Sequence, residues 1–284
     1  MKKTYQRGDT INALALDKLV EIFRELDWNI EEDRFDCFCK LLSRLKEDEQ
    51  QLILELTRDF LYCGLNHYPA AISDVVSKVT SIIPKNIKEV VAIPLISPKD
   101  IGKVKSGSFL IYLLSPELKK AVEVNGCKFL SRDRCSELAN SKEPRRNTLI
   151  LFVDDFLGSG GTAKEALDEY NEKYRVESDA VLVAVLVAQQ TAVNFLREIG
   201  VESVYAHLRV RGISDSDRFH DKDLALKLID QIEDRLKVWP AFRRGFQQTE
   251  ALASMIKCPN NTFPVFWVKN KVEGIPWPAP FSKK

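Results

Sequence analysis

The residues with the most chemical content occupy positions 149–162: Leu149-Ile150-Leu151-Phe152-Val153-Asp154-Asp155-Phe156-Leu157-Gly158-Ser159-Gly160-Gly161-Thr162. An apolar run ends in two adjacent carboxylates, and a loop with three glycines and two hydroxyl residues leads into a helical pattern. Glycine has no Cβ, so its backbone N–H can approach an anion closely. A helix that starts there adds unpaired N–H donors and the positive end of its dipole. Ser159 and Thr162 contribute hydroxyl donors, so Gly158, Ser159, Gly160, Gly161 and Thr162 read as a phosphate cradle. Asp154 and Asp155, acceptor-only when ionised, suit sugar hydroxyls. Two acids at the end of a buried strand are costly without a partner, which argues against a plain turn.

Three loop types compete for this pattern. A P-loop needs GxxxxGK[ST], and Lys164 lacks the flanking Gly and Ser/Thr. The dinucleotide fingerprint is matched only by Gly158, Gly160 and Ala163. The next apolar run ends in Gln189-Gln190, where a ribose-binding acid is expected. The third type fits: the segment resembles the phosphoribosyl pyrophosphate motif of type I phosphoribosyltransferases, departing mildly at Phe156 and Gly158. The resemblance implies that Asp154 and Asp155 bind the ribose hydroxyls and act at the catalytic centre. It gives residues 158–162 the 5′-phosphate, and it implies a Mg²⁺ ion carried mainly by the substrate. It further implies a pyrophosphate loop after the first core strand, where Lys103, Lys105, Ser106, Gly107 and Ser108 are the candidates, although no Arg-Gly-Gly form is present. A flexible loop before the motif strand is implied at residues 132–146, with Arg132 and Arg134 as leading candidates beside Lys142, Arg145 and Arg146.

Two further stretches, residues 212–219 and 259–267, look like a divergent bacterial group of conflict-system (antiphage, retron-associated) phosphoribosyltransferase effectors. What the resemblance implies is an effector acting at C1 of phosphoribosyl pyrophosphate or a related nucleotide. The other reading is a non-catalytic module that senses a phosphoribosyl ligand. Asn260, Asn261 and Trp267 are candidates for a substrate-facing hood.

These loops need a scaffold. Continuous apolar runs at 90–95, 149–153 and 180–188, with a further strand at 203–207, alternate with helical patterns at 163–174 and 191–199. This is the signature of a parallel α/β sheet flanked by helices. Residues 109–114 fit a strand or a helix start. Residues 121–124 and 127–130 fit short strands around an Asn125-Gly126 hairpin turn. A helix is expected at 224–236, and one strand near 263–268. Before residue 85, apolar residues recur at helical spacing in four groups: Leu16 to Leu26, Phe38 to Leu45, Leu52 to Cys63 and Ile72 to Ile82. The expected division is therefore a helical subdomain at 1–86 and the α/β domain at 87–284. The helical part is a candidate dock for a protein or ribonucleoprotein partner.

Composition excludes other classes. The formal charge of +1 gives no overall drive toward nucleic acid. Six cysteines contain no CxxC pair, and His67, His207 and His220 lack ligand spacing, so no metal site built from a side-chain cluster is expected. The run at 181–188 is too short to span a bilayer, and Met1-Lys2-Lys3-Thr4 has no apolar run behind it. A cytoplasmic protein with reduced thiols is expected; the oligomeric state is left open.

Overall fold

The computed structural model describes residues 11–100, 102, 105–140 and 145–281. In chain order the main elements are α1 (Ala13–Glu25), α2 (Asp33–Leu42), α3 (Glu47–Arg58), β1 (Leu61–Tyr62), α4 (Tyr68–Ile82), β2 (Glu89–Pro94), α5 (Ser106–Val124), β3 (Lys128–Ser131), β4 (Thr148–Leu157), α6 (Gly161–Lys173), β5 (Ala180–Gln189), α7 (Gln190–Glu198), β6 (Glu202–Arg209), α8 (Lys222–Arg235) and β7 (Ala253–Ser254).

Two compact units emerge, one of residues 65–209 and one made jointly by 1–64 and 210–284. The first is the α/β unit. Its five strands are all parallel in the order β3-β2-β4-β5-β6. Strand β5, between β4 and β6, reads AVLVAVLVAQ and is buried along nearly its whole length, as a strand covered on both faces requires. Ile150 and Phe152 of β4 pack with Val183 and Val185 of β5 against Ala163, Leu167 and Tyr170 of α6.

The expected Asn125-Gly126 hairpin is not formed. Residues 121–124 complete α5, Asn125 is its C-cap, and Gly126 takes the left-handed conformation (φ 77°) that ends a helix. The strand that follows, β3, pairs in parallel with β2 instead of with residues 121–124. The run starting at Phe109 is likewise helix, and Pro116 falls inside it.

The second unit is built from α1–α3, α8 and the C-terminal segment. Leu19, Ile22, Phe23, Phe38, Leu41, Ile53 and Leu56 share a core with Ile229, Ile232, Phe263, Phe266, Trp277 and Phe281. Phe60 and Phe281 stack at 4.3 Å, and β1 pairs in parallel with β7. Glu49 of α3, only 1 % exposed, accepts two 2.7 Å hydrogen bonds from the Arg235 guanidinium of α8. The strand expected near 263–268 is a 3-10 turn, Pro264–Phe266, because Pro264 supplies no N–H for a ladder. Among the described residues, no helix is long and apolar enough to cross a membrane.

These units do not follow the boundary at 86/87 expected from sequence. Helix α4 belongs with the sheet, and α1–α3 share their core with residues 210–284. A fragment of residues 87–284 is therefore expected to express as aggregated or molten material. It strips the apolar partners from Phe263, Phe266, Trp277 and Phe281, and it removes α4 from the sheet. Circular dichroism and amide dispersion of the fragment test this; a cooperatively folded 87–284 would show that the shared core is dispensable.

Candidate functional site

Strand β4 does not stop at the acids, as the sequence reading expected. It runs through Asp154, Asp155 and Phe156 to Leu157, pairing Asp154 with Val185 and Leu157 with Ala188 of β5. The loop is thereby cut to Gly158, Ser159 and Gly160, and α6 begins at Gly161, two residues earlier than its sequence pattern. Gly160 is the N-cap, with φ 84° and ψ −6°. A Cβ there would come within 2.8 Å of Phe195 Cδ1, so both backbone conformation and the packing of α7 require glycine. Ser159 Oγ accepts from the Gly161 amide at 3.4 Å. Thr162 is exposed in the first turn. The phosphate-cradle candidates thus gather at one helix start, where the first N–H groups have no carbonyl a turn earlier to bond.

The two acids are held by hydroxyls from two different helices. Ser106 Oγ, at the start of α5, donates to Asp154 Oδ1 at 2.6 Å. Tyr68 OH, at the start of α4, donates to Asp155 Oδ2 at 3.0 Å. The Asp155 amide also donates to Asp154 Oδ1, at 2.9 Å. Burial, and then the neighbouring Asp155 charge, push the Asp154 carboxyl well above the ordinary carboxylate range. Burial raises Asp155 as well, opposed by the Ser106 and Tyr68 hydroxyls. The pair therefore resists full ionisation until hydrogen-bond donors or a cation arrive.

Gly107 is buried beneath this arrangement rather than facing an anion. A Cβ on it would sit 2.7 Å from the Val153 carbonyl oxygen and 3.1 Å from Pro94 Cβ. Its absence lets α5 meet the ends of β2 and β4 closely enough for Ser106 to reach Asp154. Beside it, a cleft of about 140 Å³ opens at the C-terminal ends of β2 and β3, lined by Pro94, Ile96, Gly102, Ser108, Asp133 and Arg134 among others. Ligands of open parallel sheets bind at such ends.

The remaining candidates divide. Lys105 is tied to Asp100 at 2.6 Å, and Lys103 lies outside the described residues. Arg134 is exposed and lines the cleft, with Glu137 at 3.8 Å. Arg132 extends the β2–β3 ladder, its amide bonding the Ala92 carbonyl at 2.9 Å and its guanidinium the Ser131 carbonyl at 3.0 Å. Arg145 is structural: it is buried against Asp179 at 3.0 Å, with Asp179 also accepting from Tyr170 OH at 2.6 Å. Lys142 lies outside the described residues. In the second unit, Asn261 Nδ2 binds Phe246 O and Thr249 Oγ1, and Trp267 Nε1 donates to Thr262 O.

Sequence reasoning missed Tyr68, which no local pattern marks. It also missed the latch on the loop after β2. Ser97 Oγ donates to Glu165 of α6, and Lys99 Nζ pairs with the same carboxylate at 2.7 Å. The Lys99 and Ser97 hydrogen bonds hold the Glu165 carboxyl below its usual range. Helix α6 is thereby tied to the loop that follows β2. Among the described residues, no group of three or more His, Cys, Asp or Glu side chains could hold a metal ion.

A parallel sheet, paired acids on its motif strand and a left-handed glycine opening the next helix define a phosphoribosyltransferase-like protein. The PRTase-CE family model matches residues 34–283, and the chain belongs to that family. No curated protein matches the sequence. Solved structures similar to it include orotate phosphoribosyltransferase from Aeropyrum pernix, at 16 % identity over 50 % of this chain and 71 % of that one, with a TM-score of 0.33. Hypoxanthine-guanine phosphoribosyltransferase from Schistosoma mansoni in complex with IMP is 12 % identical over 57 % of this chain and 76 % of that one, with a TM-score of 0.36. A hypothetical protein from Neisseria gonorrhoeae with bound ppGpp is 16 % identical over 61 % and 97 % of the two chains, with a TM-score of 0.33.

Proposed function

We propose that this protein binds phosphoribosyl pyrophosphate or a related nucleotide and acts at C1 of its ribose. The observation that carries the reading is the pairing of Asp154, half-buried and bonded to a hydroxyl, with the glycine-opened start of α6 that follows on the same strand–helix unit. The acidic pair Asp154–Asp155 forms the ribose end of the site, and the amides and hydroxyls of residues 158–162 take the 5′-phosphate. Ser108 and Arg134, in the adjoining cleft, face the pyrophosphate. Cleavage at C1 needs no side-chain nucleophile, because an oxocarbenium-like transition state is stabilised by position and charge. Two carboxylates are too few to cage a cation, so Mg²⁺ fits as an ion brought by the pyrophosphate and neutralising it. The resemblance of the C-terminal stretches to antiphage, retron-associated effectors supports a role in bacterial defence. The surface of α1–α3 is the proposed dock for a protein or ribonucleoprotein partner.

A specific observation favours a second reading, a sensor without turnover. Of the described cations proposed for the reacting centre, Lys105 and Arg145 are committed to Asp100 and Asp179. Calorimetric titration with phosphoribosyl pyrophosphate and Mg²⁺, combined with an assay for released pyrophosphate, separates the two. Binding with release is the expected result; binding without release selects the sensor. No binding by the full-length protein, alone or with partner present, would overturn both.

A further inference from the structure

We propose that the two acids divide their work: Asp155 is a positioning residue locked in place by Tyr68, and Asp154 alone exchanges its Ser106 hydroxyl for a hydroxyl of the ligand. The inference rests on the reading of this site as a phosphoribosyl site. Burial carries the distinction. Tyr68 and Asp155 are 1 % and 8 % exposed, so their 3.0 Å bond is closed to an incoming sugar. Asp154 is only half-buried and its partner Ser106 is exposed. The Ser106 hydroxyl, 2.6 Å from Asp154 Oδ1, occupies the kind of place a ribose hydroxyl would take, donating one O–H to the same acceptor.

Tyr68 reaches the site from α4, a helix that precedes the first strand of the sheet. It supplies a neutral donor to a buried carboxylate whose neighbour is another carboxylate. The groups that bear on Asp155 are Tyr68 from α4, Ser106 from α5 and Asp154 on its own strand. Without the phenol, Asp155 keeps its proton to higher pH, and its carboxyl loses the bond that holds it in place.

The test is calorimetric titration of the full-length protein with phosphoribosyl pyrophosphate and Mg²⁺ from pH 5 to 8, on wild type, Tyr68→Phe, Ser106→Ala, Asp154→Asn and Asp155→Asn. Tyr68→Phe is expected to weaken binding by about ten- to hundredfold near pH 6, the scale of a lost hydrogen bond to a charged group. It should also move the acidic limb of the affinity profile to higher pH. Ser106→Ala removes a competitor for Asp154 but also a donor to both acids, so it too should move the acidic limb to higher pH, while at pH 8 it binds more tightly than Tyr68→Phe. Asp154→Asn should lose far more affinity than Asp155→Asn, whose amide oxygen still accepts from Tyr68; this comparison stands even where Tyr68→Phe does not fold. Equal losses from the two asparagine variants, or a folded Tyr68→Phe with an unmoved pH profile, would overturn the division. If wild type binds no phosphoribosyl pyrophosphate, the functional reading fails instead. Carbon-13 titration of the Asp155 carboxyl in the unliganded protein then decides the Tyr68 assignment: an upward displacement in Tyr68→Phe supports it, and an unchanged curve rejects it.

Discussion

Replacing Asp154 and Asp155 together with asparagine is expected to reduce phosphoribosyl pyrophosphate affinity about ten- to hundredfold, since the charge-assisted hydrogen bond to Asp154 contributes roughly 1.5–3 kcal/mol. The same change should stabilise the unliganded protein at neutral pH. Both carboxyls are raised above their ordinary value of 3.8 by burial, with mutual repulsion adding to the rise at Asp154. A carboxyl raised in the folded state binds its proton more tightly there than in the unfolded chain. Its stabilising contribution is complete below 3.8 and is lost as pH rises through the folded value. Wild type therefore bears an electrostatic cost at pH 7.5 that the double variant lacks, and the difference fades toward pH 3.8. Thermal melts at the two pH values, together with titration calorimetry, check both halves. Unchanged affinity would remove the acids from ligand binding; a double variant less stable than wild type at pH 7.5 would show that the Ser106 and Tyr68 bonds outweigh repulsion.

A larger stability effect is expected at Gly245. Its φ of 80° and ψ of 157° lie in a region open essentially to glycine alone. A Cβ there would meet the Asn261 carbonyl oxygen at 1.9 Å and its carbon at 2.7 Å, both backbone atoms. Neither side can yield easily. Phe246 N bonds Asn260 O at 2.9 Å, Ala251 N bonds Asn261 O at 3.0 Å, and Thr249 Oγ1 bonds the same oxygen at 3.0 Å. The neighbours Arg244, Gln247, Gln248 and Glu250 are themselves left-handed. Buried carboxylates hold this conformation. Glu250 accepts from the Ile213 and Ser214 amides at 2.9 and 2.8 Å, and Glu233 accepts from the Arg244 amide at 2.9 Å. Burial pushes Glu233 up to about 8. Gly245→Ala should cost about 3 kcal/mol or more, combining backbone strain with overpacking. At about 2–4 °C per kcal/mol, that is a fall of roughly 10 °C in the first melting transition. An unaltered melt would contradict this backbone. Because Gly245 and Asn261 belong to the unit of residues 1–64 and 210–284, phosphoribosyl pyrophosphate binding below that transition should survive.

The sheet was legible because its inner strands β2, β4 and β5 are apolar on both faces and its helices are amphipathic; period distinguishes them. The helices α1–α4, α6, α7 and α8 were likewise readable from spacing. The strand–loop–helix segment was legible because a strand, two acids and a glycine cluster are contiguous, so local geometry brings their groups together without help from the rest of the chain. Errors arose where one local pattern serves two structures. Asn125-Gly126 closes a hairpin or ends a helix with the same left-handed glycine, and the flanking residues do not distinguish the two.

By itself, then, the sequence determined the α/β class, the acidic pair and the helix start that follows it, since all of these depend on neighbours in the chain. Only the tertiary structure decided the partners of those groups. Tyr68 meets Asp155 across 87 positions and Ser106 meets Asp154 across 48. Gly107 matters because the Val153 carbonyl lies against it, not because of its own turn. Arg145 belongs to Asp179, and α1–α3 share a core with residues 210–284 rather than standing as a subdomain of their own. The physical reason is common to these cases. An exposed charge and a buried one have the same letter, and which of them a residue becomes is set by the desolvation and the donors that distant segments bring to it.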